Sequence, residues 1–257
     1  MVVVNCRAGQ RSNRLVVAAH AMATAIVRGE RLRLTTFDEF KGDYVCKADD
    51  SQQIVMRGSC FWECVRLFER VVKMVVRYKR FSIPHILTLA SDWHYRDYES
   101  LSHCEDKVRD FFTPVNVVQV QKMIEELKRT GQRLIGVHIR RRDYKTFVDG
   151  RYYFDDSVYS REMKRVMGFE DIGGNTMFLV FSDEEIDETG FESVPCRFMH
   201  GSAVEDQWMM SQCDYLMGPP STFSAWASFM GKVPLARMWD KEYQLKMEDF
   251  AYRGLVA

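Results

Sequence analysis

The feature that most limits the fold is a repeated change of hydrophobic period along the chain. Short, mostly apolar runs, at 2–5, 134–139 and 176–181, alternate with longer stretches patterned for helix. An unbroken apolar run of this length suits a strand buried on both faces, which is what a parallel sheet between helices requires. The expected class is therefore α/β with parallel sheets. The first unit reads as a strand at 2–5, a polar loop (Arg7-Ala8-Gly9-Gln10-Arg11-Ser12), a helix over 13–28 closed by Gly29, and a strand at 31–35. That arrangement sets a glycine-bearing loop at a strand's C-terminal end and a helix N-terminus, where open α/β sheets bind ligands. A helix over 116–129 ends at Gly131 and leads into the 134–139 strand. We place the border between two lobes there, at 1–130 and 131–257. The length of 257 residues accommodates two compact lobes of about 100–150 residues each. Further strands are expected at 197–199, 215–217 and 234–237, and helices at 157–167, 204–213 and 222–230. The 91–113 stretch, rich in aromatic and polar residues, shows no clear period and reads as irregular.

Charge and cysteine usage remove several function classes. Thirty-six basic and 36 acidic side chains give zero formal net charge, which argues against nucleic acid as the main partner. The seven cysteines form no CxxC pair, and neither Cys60 with Cys64 nor His103-Cys104 fits a standard zinc spacing, so reduced cytosolic thiols are expected. The N-terminus lacks a basic start followed by a long apolar run, and no 18-residue apolar span occurs. A cytoplasmic protein is the expectation. The 60–80 stretch alternates Phe61, Trp62, Val65, Phe68, Val72 and Val76 with Arg66, Arg70, Lys73, Arg77 and Lys79. It reads as a partly buried helix with basic edges, or as a peripheral contact with an anionic membrane near a lipid-linked acceptor.

Three strands of the second half end in polar groups, and each end admits two readings. The first end is His138-Ile139-Arg140-Arg141-Arg142-Asp143-Tyr144. Arginine at a buried strand's exit suits a phosphate, because its planar fork donates two parallel hydrogen bonds and stays charged. A solvated basic turn paired with Asp143 explains the same residues. In an ideal strand Arg140 and Arg141 point to opposite faces, so both could serve one ligand only if the backbone bends. The second end, Phe181-Ser182-Asp183-Glu184-Glu185, suits a helix N-cap and first turn, or a carboxylate that accepts from a nucleoside. The third is Gly218-Pro219-Pro220-Ser221-Thr222-Phe223-Ser224, a rigid turn into an apolar helix that Gly231 closes. Unsatisfied amides and a positive dipole end suit it to phosphate, while capping by Ser221 or Thr222 is the plain alternative. Upstream, Glu205 follows Ser202 by three in capping-box spacing, so a structural role competes with a ligand role there.

Together these motifs resemble the bacterial α-1,2-fucosyltransferases. His138-Ile139-Arg140-Arg141-x-Asp143-Tyr144 is similar to that family's HxRRxD motif, with Arg142 where glycine is common. Phe181-Ser182-Asp183 resembles its second motif. Glu205-Asp206, Met210-Ser211, Cys213 and Ser221-Thr222-Phe223-Ser224-x-Trp226 resemble its third. Gly9 and Asn13-Arg14-Leu15 resemble the N-terminal GxxN[QR]L loop, with Gln10-Arg11-Ser12 in place of the usual glycine-rich approach. The likeness is strong over 1–40 and 134–230 and weak over 41–130.

The resemblance implies two Rossmann-like lobes facing across a cleft (a GT-B-like fold), with acceptor recognition on 1–130 and the GDP-sugar on 131–257. It implies inverting, metal-independent transfer of L-fucose from GDP-fucose to a glycan hydroxyl, galactose O2 being the family expectation. The donor would be a substrate, with no cofactor. Arg140 would hold the β-phosphate and Arg141 would line the site or support it. His138 and Asp183, beside Ser182, would contact the nucleoside. Ser221, Thr222, Phe223 and Ser224 would close around the diphosphate, with Glu205, Asp206, Gly9, Asn13 and Arg14 completing the substrate contacts. Asp143 is the carboxylate nearest the arginines and the catalytic candidate beside Arg140; Asp149 is the other nearby. Asp49-Asp50 and Asp155-Asp156 read as turns or caps rather than metal ligands. The other readings are a transferase for another GDP-sugar or linkage, and a non-catalytic relative that binds nucleotide or glycan.

Overall fold

The protein is described by a computed structural model, which covers residues 1–6, 9–37, 40, 42–46, 54, 55, 64, 67, 81–83, 87–90 and 92–255. The chain divides into two compact units, Met1–Asn116 and Val117–Ala257. Each unit is built on its own sheet, as the alternating pattern predicts.

In the N-terminal unit β1 (Val2–Val4) lies between β2 (Leu32–Leu34) and β5 (Leu87–Ala90), both parallel to it. β3 (Ile54–Val55) extends one edge in parallel, and β4 (Phe81–Ile83) runs antiparallel on the other. Helix α1 (Arg11–Arg28) follows β1 and ends at Gly29, whose φ of 62° is the left-handed geometry that glycine adopts without strain. The helix begins two residues before the sequence pattern suggests, so Arg11 and Ser12 form its first turn.

The 91–113 stretch is helical where the sequence reads as irregular. It contains α2 (Tyr98–Ser102) and α3 (Glu105–Phe111), and both pack against α1. The buried residues Leu101, Cys104, Val108 and Phe111 recur at three- and four-residue spacing, a helical stripe hidden among polar neighbours. Asp97 caps α2 through a bond from the Ser100 amide. The basic 60–80 stretch and Asp49-Asp50 lie outside the described residues, except for Cys64 and Leu67, which are helical. No helix among the described residues is long and apolar enough to cross a membrane.

The C-terminal unit has a fully parallel sheet in the order β10-β9-β6-β7-β8. These strands are β6 (Arg133–Ile139), β7 (Thr176–Ser182), β8 (Cys196–Met199), β9 (Tyr215–Gly218) and β10 (Leu235–Arg237). β6 is central and buried from Leu134 onward, which explains its unbroken apolar run. Helices α4 (Val118–Arg129), α5 (Asp156–Met167), α6 (Ala203–Met210) and α7 (Thr222–Gly231) complete the unit. One face of the sheet packs on Val158, Tyr159, Met163 and Val166 of α5. The other packs on Val120, Ile124 and Leu127 of α4 together with Met209 and Met210 of α6. α4 therefore belongs to the C-terminal unit, and the division falls ahead of it at Asn116/Val117 rather than at 130/131.

Two local expectations change. No α-helix follows β7, so Ser182 and Asp183 are not an N-cap and first turn; a bend and a short 3-10 turn (Glu188–Phe191) take that place. Gly231 is the last helical residue of α7, and Lys232 takes the left-handed position with φ 55°. Glycine stands at 231 because a Cβ there would overlap the Ser211 carbonyl oxygen.

Candidate functional site

The strand order of the C-terminal unit reverses beside β6. From β6 the chain steps outward through β7 and β8, then returns to β9 on the other flank of β6. Open α/β sheets bind ligands at the carboxyl ends of the two strands that flank such a reversal. Here those ends are the 138–144 segment and the 218–224 turn. Val137 pairs with Met217, and a Cβ on Gly218 would lie 2.6 Å from the His138 carbonyl oxygen. The glycine thus permits the two strand ends to approach this closely.

β6 stops at Ile139, and a 3-10 turn (Asp143–Lys145) follows after Arg142. Arg140 and Arg141 nonetheless take separate partners, so the turn does not bring both to one ligand. Arg140 donates through Nε and Nη2 to the two carboxylate oxygens of Asp143, at 3.0 and 2.9 Å, and its guanidinium lies 5.3 Å from the centre of the Tyr144 ring. Arg141 is buried and tied to the protein. Its Nε donates to the Phe154 carbonyl at 3.1 Å, its Nη2 to Asp156 at 2.5 Å, and Glu184 lies 3.8 Å away. Its backbone amide donates to Asp183 at 2.9 Å. Arg141 and Asp183 thus join the ends of β6 and β7 and the start of α5, where Asp155 is the N-cap. Ser182 Oγ accepts from the Glu184 amide, a turn contact.

On the β9 side Ser221 caps α7 by accepting from the Phe223 amide, and Ser224 Oγ donates to the Ser221 carbonyl. The first turn of α7 holds no acidic residue, so nothing on the helix itself offsets the positive dipole end. Tyr144, whose hydroxyl donates to the Pro220 carbonyl oxygen, bridges the arginine turn to this one. The His138 imidazole stacks on Phe223 at 4.9 Å between ring centres. Burial, then the Arg140 charge, pull the His138 pKa down to about 3, so the ring is neutral at ordinary pH. Its Nδ1 is buried without a hydrogen-bond partner among the described residues.

α6 meets this region through Gln207. Gln207 donates to the Phe223 carbonyl at 3.2 Å. Glu205 forms the capping box with Ser202 that its spacing suggests. Asp206 accepts from the Gly201 amide at 3.1 Å, and burial raises its pKa to about 6. The structure therefore gathers His138, Arg140, Asp143, Ser221, Phe223 and Ser224 around one strand reversal, with Thr222 in the same helix turn, while the partners of Glu205 and Asp206 are Ser202 and Gly201 at the start of α6.

Gly9, Asn13 and Arg14 belong to the N-terminal unit, Gly9 in the loop after β1 and Asn13 and Arg14 at the start of α1. Gly9 has φ 78°, and a Cβ there would overlap the Asn13 side chain. Phe40 lies against the guanidinium groups of both Arg11 and Arg14, each 4.6 Å from its ring centre, and Arg11 also pairs with Asp43. Neither Arg11 nor Phe40 stands out in the sequence as a candidate. Among the described residues no group of three or more His, Cys, Asp or Glu side chains is placed to hold a metal ion.

The conformation of the turn after Asp143 is likewise not readable in the sequence. Val148 (φ 50°, ψ 49°) and Asp149 (φ 54°, ψ 31°) are both left-handed, at a cost of about 1–3 kcal/mol each. Their spacing carries no signal of this, because neither residue type favours that conformation strongly enough to announce it.

The pattern of the family described as glycosyl transferase family 11 matches residues 77–249. The chain is 26% identical over 271 residues to an alpha-1,2-colitosyltransferase of Escherichia coli, covering 91% of this chain and 89% of that protein. Its fold is similar to the crystal structure of fucosyltransferase NodZ from Bradyrhizobium, with a TM-score of 0.63 at 13% identity over 92% of this chain and 94% of that one. It is also similar to POFUT1 in complex with GDP-fucose (TM-score 0.55, 12% identity, 93% and 98% covered). A mutant of Arabidopsis thaliana FUT1 in complex with GDP gives a TM-score of 0.58 at 10% identity, with 96% and 71% covered.

Proposed function

This chain belongs to glycosyl transferase family 11, and on that premise we propose that it moves L-fucose from GDP-fucose to a hydroxyl of a glycan acceptor, galactose O2 in the first instance. The observation that carries the reading is the meeting of the Arg140 turn and the α7 N-terminus at one strand reversal, joined by Tyr144. Solved structures of similar fold are complexes with GDP or GDP-fucose, which supports a GDP-linked donor.

In this proposal the bond between fucose C1 and the β-phosphate oxygen breaks as the acceptor hydroxyl attacks from the opposite face. Negative charge grows on the departing diphosphate. Arg140 and the α7 N-terminus, with Ser221, Thr222 and Ser224, are fixed before that charge appears, so they stabilise the transition state more than the bound substrate. Neutral His138, Asp183 and Asp206 are assigned to the nucleoside. Asp143 holds the Arg140 fork in place through both carboxylate oxygens, which makes it a positioning residue. Arg141 acts on the site through Asp183 and α5. The acceptor's proton goes to a base that no described residue is assigned to.

The reading is metal-independent and inverting. Its test is incubation with GDP-fucose, EDTA and a galactoside panel, following GDP release and the anomeric configuration of the product. Transfer that survives chelation and yields the inverted anomer is expected; loss of transfer on chelation would sink the metal-free account. The second reading is another GDP-sugar, because the Escherichia coli relative is named for colitose transfer. Comparison of GDP-fucose, GDP-colitose and GDP-mannose separates the two.

A further inference from the structure

The turn that follows Asp143 carries an aromatic cluster that extends outward from Tyr144, beyond the residues assigned to the donor. Tyr144 stacks on Phe147 at 5.4 Å and 28°, and Tyr152 lies 6.2 Å from Tyr144 and 6.3 Å from Phe147. Such rings ordinarily turn inward, yet Phe147 and Val148 are each 50% exposed and Tyr153 is 37% exposed. The backbone holds them out. Val148, Asp149 and Gly150 are three successive left-handed residues, with φ of 50°, 54° and 75°. The Arg151 amide bonds back to Val148 at 3.1 Å and the Tyr153 amide to Gly150 at 3.0 Å. A β-branched residue in this conformation persists only where its surroundings over-determine it, and such strain gathers at binding turns.

We infer that this 147–153 turn is the acceptor platform, on which a pyranose ring of the glycan stacks against Phe147 with Val148 and Tyr153 beside it. The inference rests on the transferase reading above. Three observations favour a sugar ring as the occupant. The patch is a few side chains wide, far short of the roughly 800 Å² per partner that a stable protein interface buries. Its rim is polar: the Lys145 ammonium sits 5.8 Å over Tyr153 and the Arg151 guanidinium 5.6 Å over Tyr152, and Asp149 of the same turn is exposed. A pyranose has a flat CH face and hydroxyls around its edge, which matches an aromatic surface ringed by donors and an acceptor. The platform is also continuous with the donor site. Tyr144 carries Phe147 against its ring and Arg140 5.3 Å from the same ring, and its hydroxyl holds Pro220.

The test is saturation-transfer NMR of the full chain, saturated with GDP, titrated with lactose, N-acetyllactosamine and methyl β-galactoside. Wild type and Phe147→Trp are expected to bind at least one galactoside through its ring CH protons, and Phe147→Ala to bind it at least tenfold more weakly. Val148→Gly, which relieves the left-handed strain, is expected to raise the melting temperature while weakening galactoside binding, an outcome that a purely structural role for the turn does not give. GDP affinity is expected to stay within twofold in all variants. Equal galactoside affinity in wild type and Phe147→Ala would overturn the inference, as would no galactoside binding to wild type. Failure of GDP itself to bind, measured by calorimetry without sugar, would instead strike the donor reading.

Discussion

A methyl group at position 218 gives the sharpest perturbation of the strand reversal. In Gly218→Ala the new Cβ would lie 2.6 Å from the His138 carbonyl oxygen and 3.1 Å from the His138 Cβ. The nearer atom is backbone in the central strand, so no side chain can swing aside. Restoring ordinary contact needs the ends of β6 and β9 to part by about 0.5–1 Å. Overpacking of this kind costs about 1–3 kcal/mol. For a unit of this size that is a fall in melting temperature of roughly 4–12 °C. The same parting moves the 218–224 turn away from Arg140, and a misplacement near 1 Å costs on the order of a hundredfold in rate. Gly231→Ala is the control, since its Cβ would overlap the Ser211 carbonyl at the far end of α7. Both variants should melt earlier in calorimetry. At a temperature where both are folded, only Gly218→Ala should lose GDP affinity, by about tenfold or more. Equal GDP affinity in the two variants would refute the reasoning that this close approach builds the site.

Arg141→Ala should destabilise the fold by about 3 kcal/mol, read by denaturant unfolding, because it strands Asp156 and Glu184 and leaves the Phe154 carbonyl without its donor. Arg141→Lys should recover little of this, since one ammonium cannot span the same partners. Asp143→Asn should lower kcat by about tenfold with the pH profile unchanged; a drop of about a thousandfold with a lost acidic limb would make Asp143 the general base instead. His138 has a depressed folded pKa, so the unfolded chain binds the extra proton and stability is lost as pH falls from about 6.5 toward 3, at about 1.4 kcal/mol per pH unit. In His138→Gln that part of the acid slope should vanish from thermal melts. Asp206 acts in the opposite sense: its raised pKa means that the folded state binds more protons between about pH 4 and 6, so its contribution falls as pH rises through that window. Asp206→Asn should therefore melt higher than wild type at pH 7.5 and level with it at pH 4.

The sequence disclosed the C-terminal site better than the parts around it, for physical reasons. A central parallel strand must be apolar on both faces, so β6 stood out, and polar groups crowded at the ends of buried strands pointed either to capping or to a ligand. The switch of strand order was not readable, because a parallel run does not say which neighbour it pairs with; the pairing of Val137 with Met217 appears only in the structure. Helices α2 and α3 were missed because their buried stripe of Leu101, Cys104, Val108 and Phe111 is narrow and set among charges. The division of labour between Arg140 and Arg141 depended on where β6 ends, a matter of one residue. The strain at Val148 and Asp149 left no trace in residue type, and the exposed Phe147 gave no sign that the turn would hold it outward.

In the proposed transfer a guanidinium and a helix N-terminus, fixed in advance, take up the charge of a leaving diphosphate. The decisive experiment is the single-turnover rate of Arg140→Ala with saturating GDP-fucose and acceptor in the presence of EDTA, on protein whose melting temperature matches wild type. A loss of about a hundredfold or more, equivalent to roughly 3 kcal/mol of transition-state stabilisation, is predicted. An unchanged rate would contradict it.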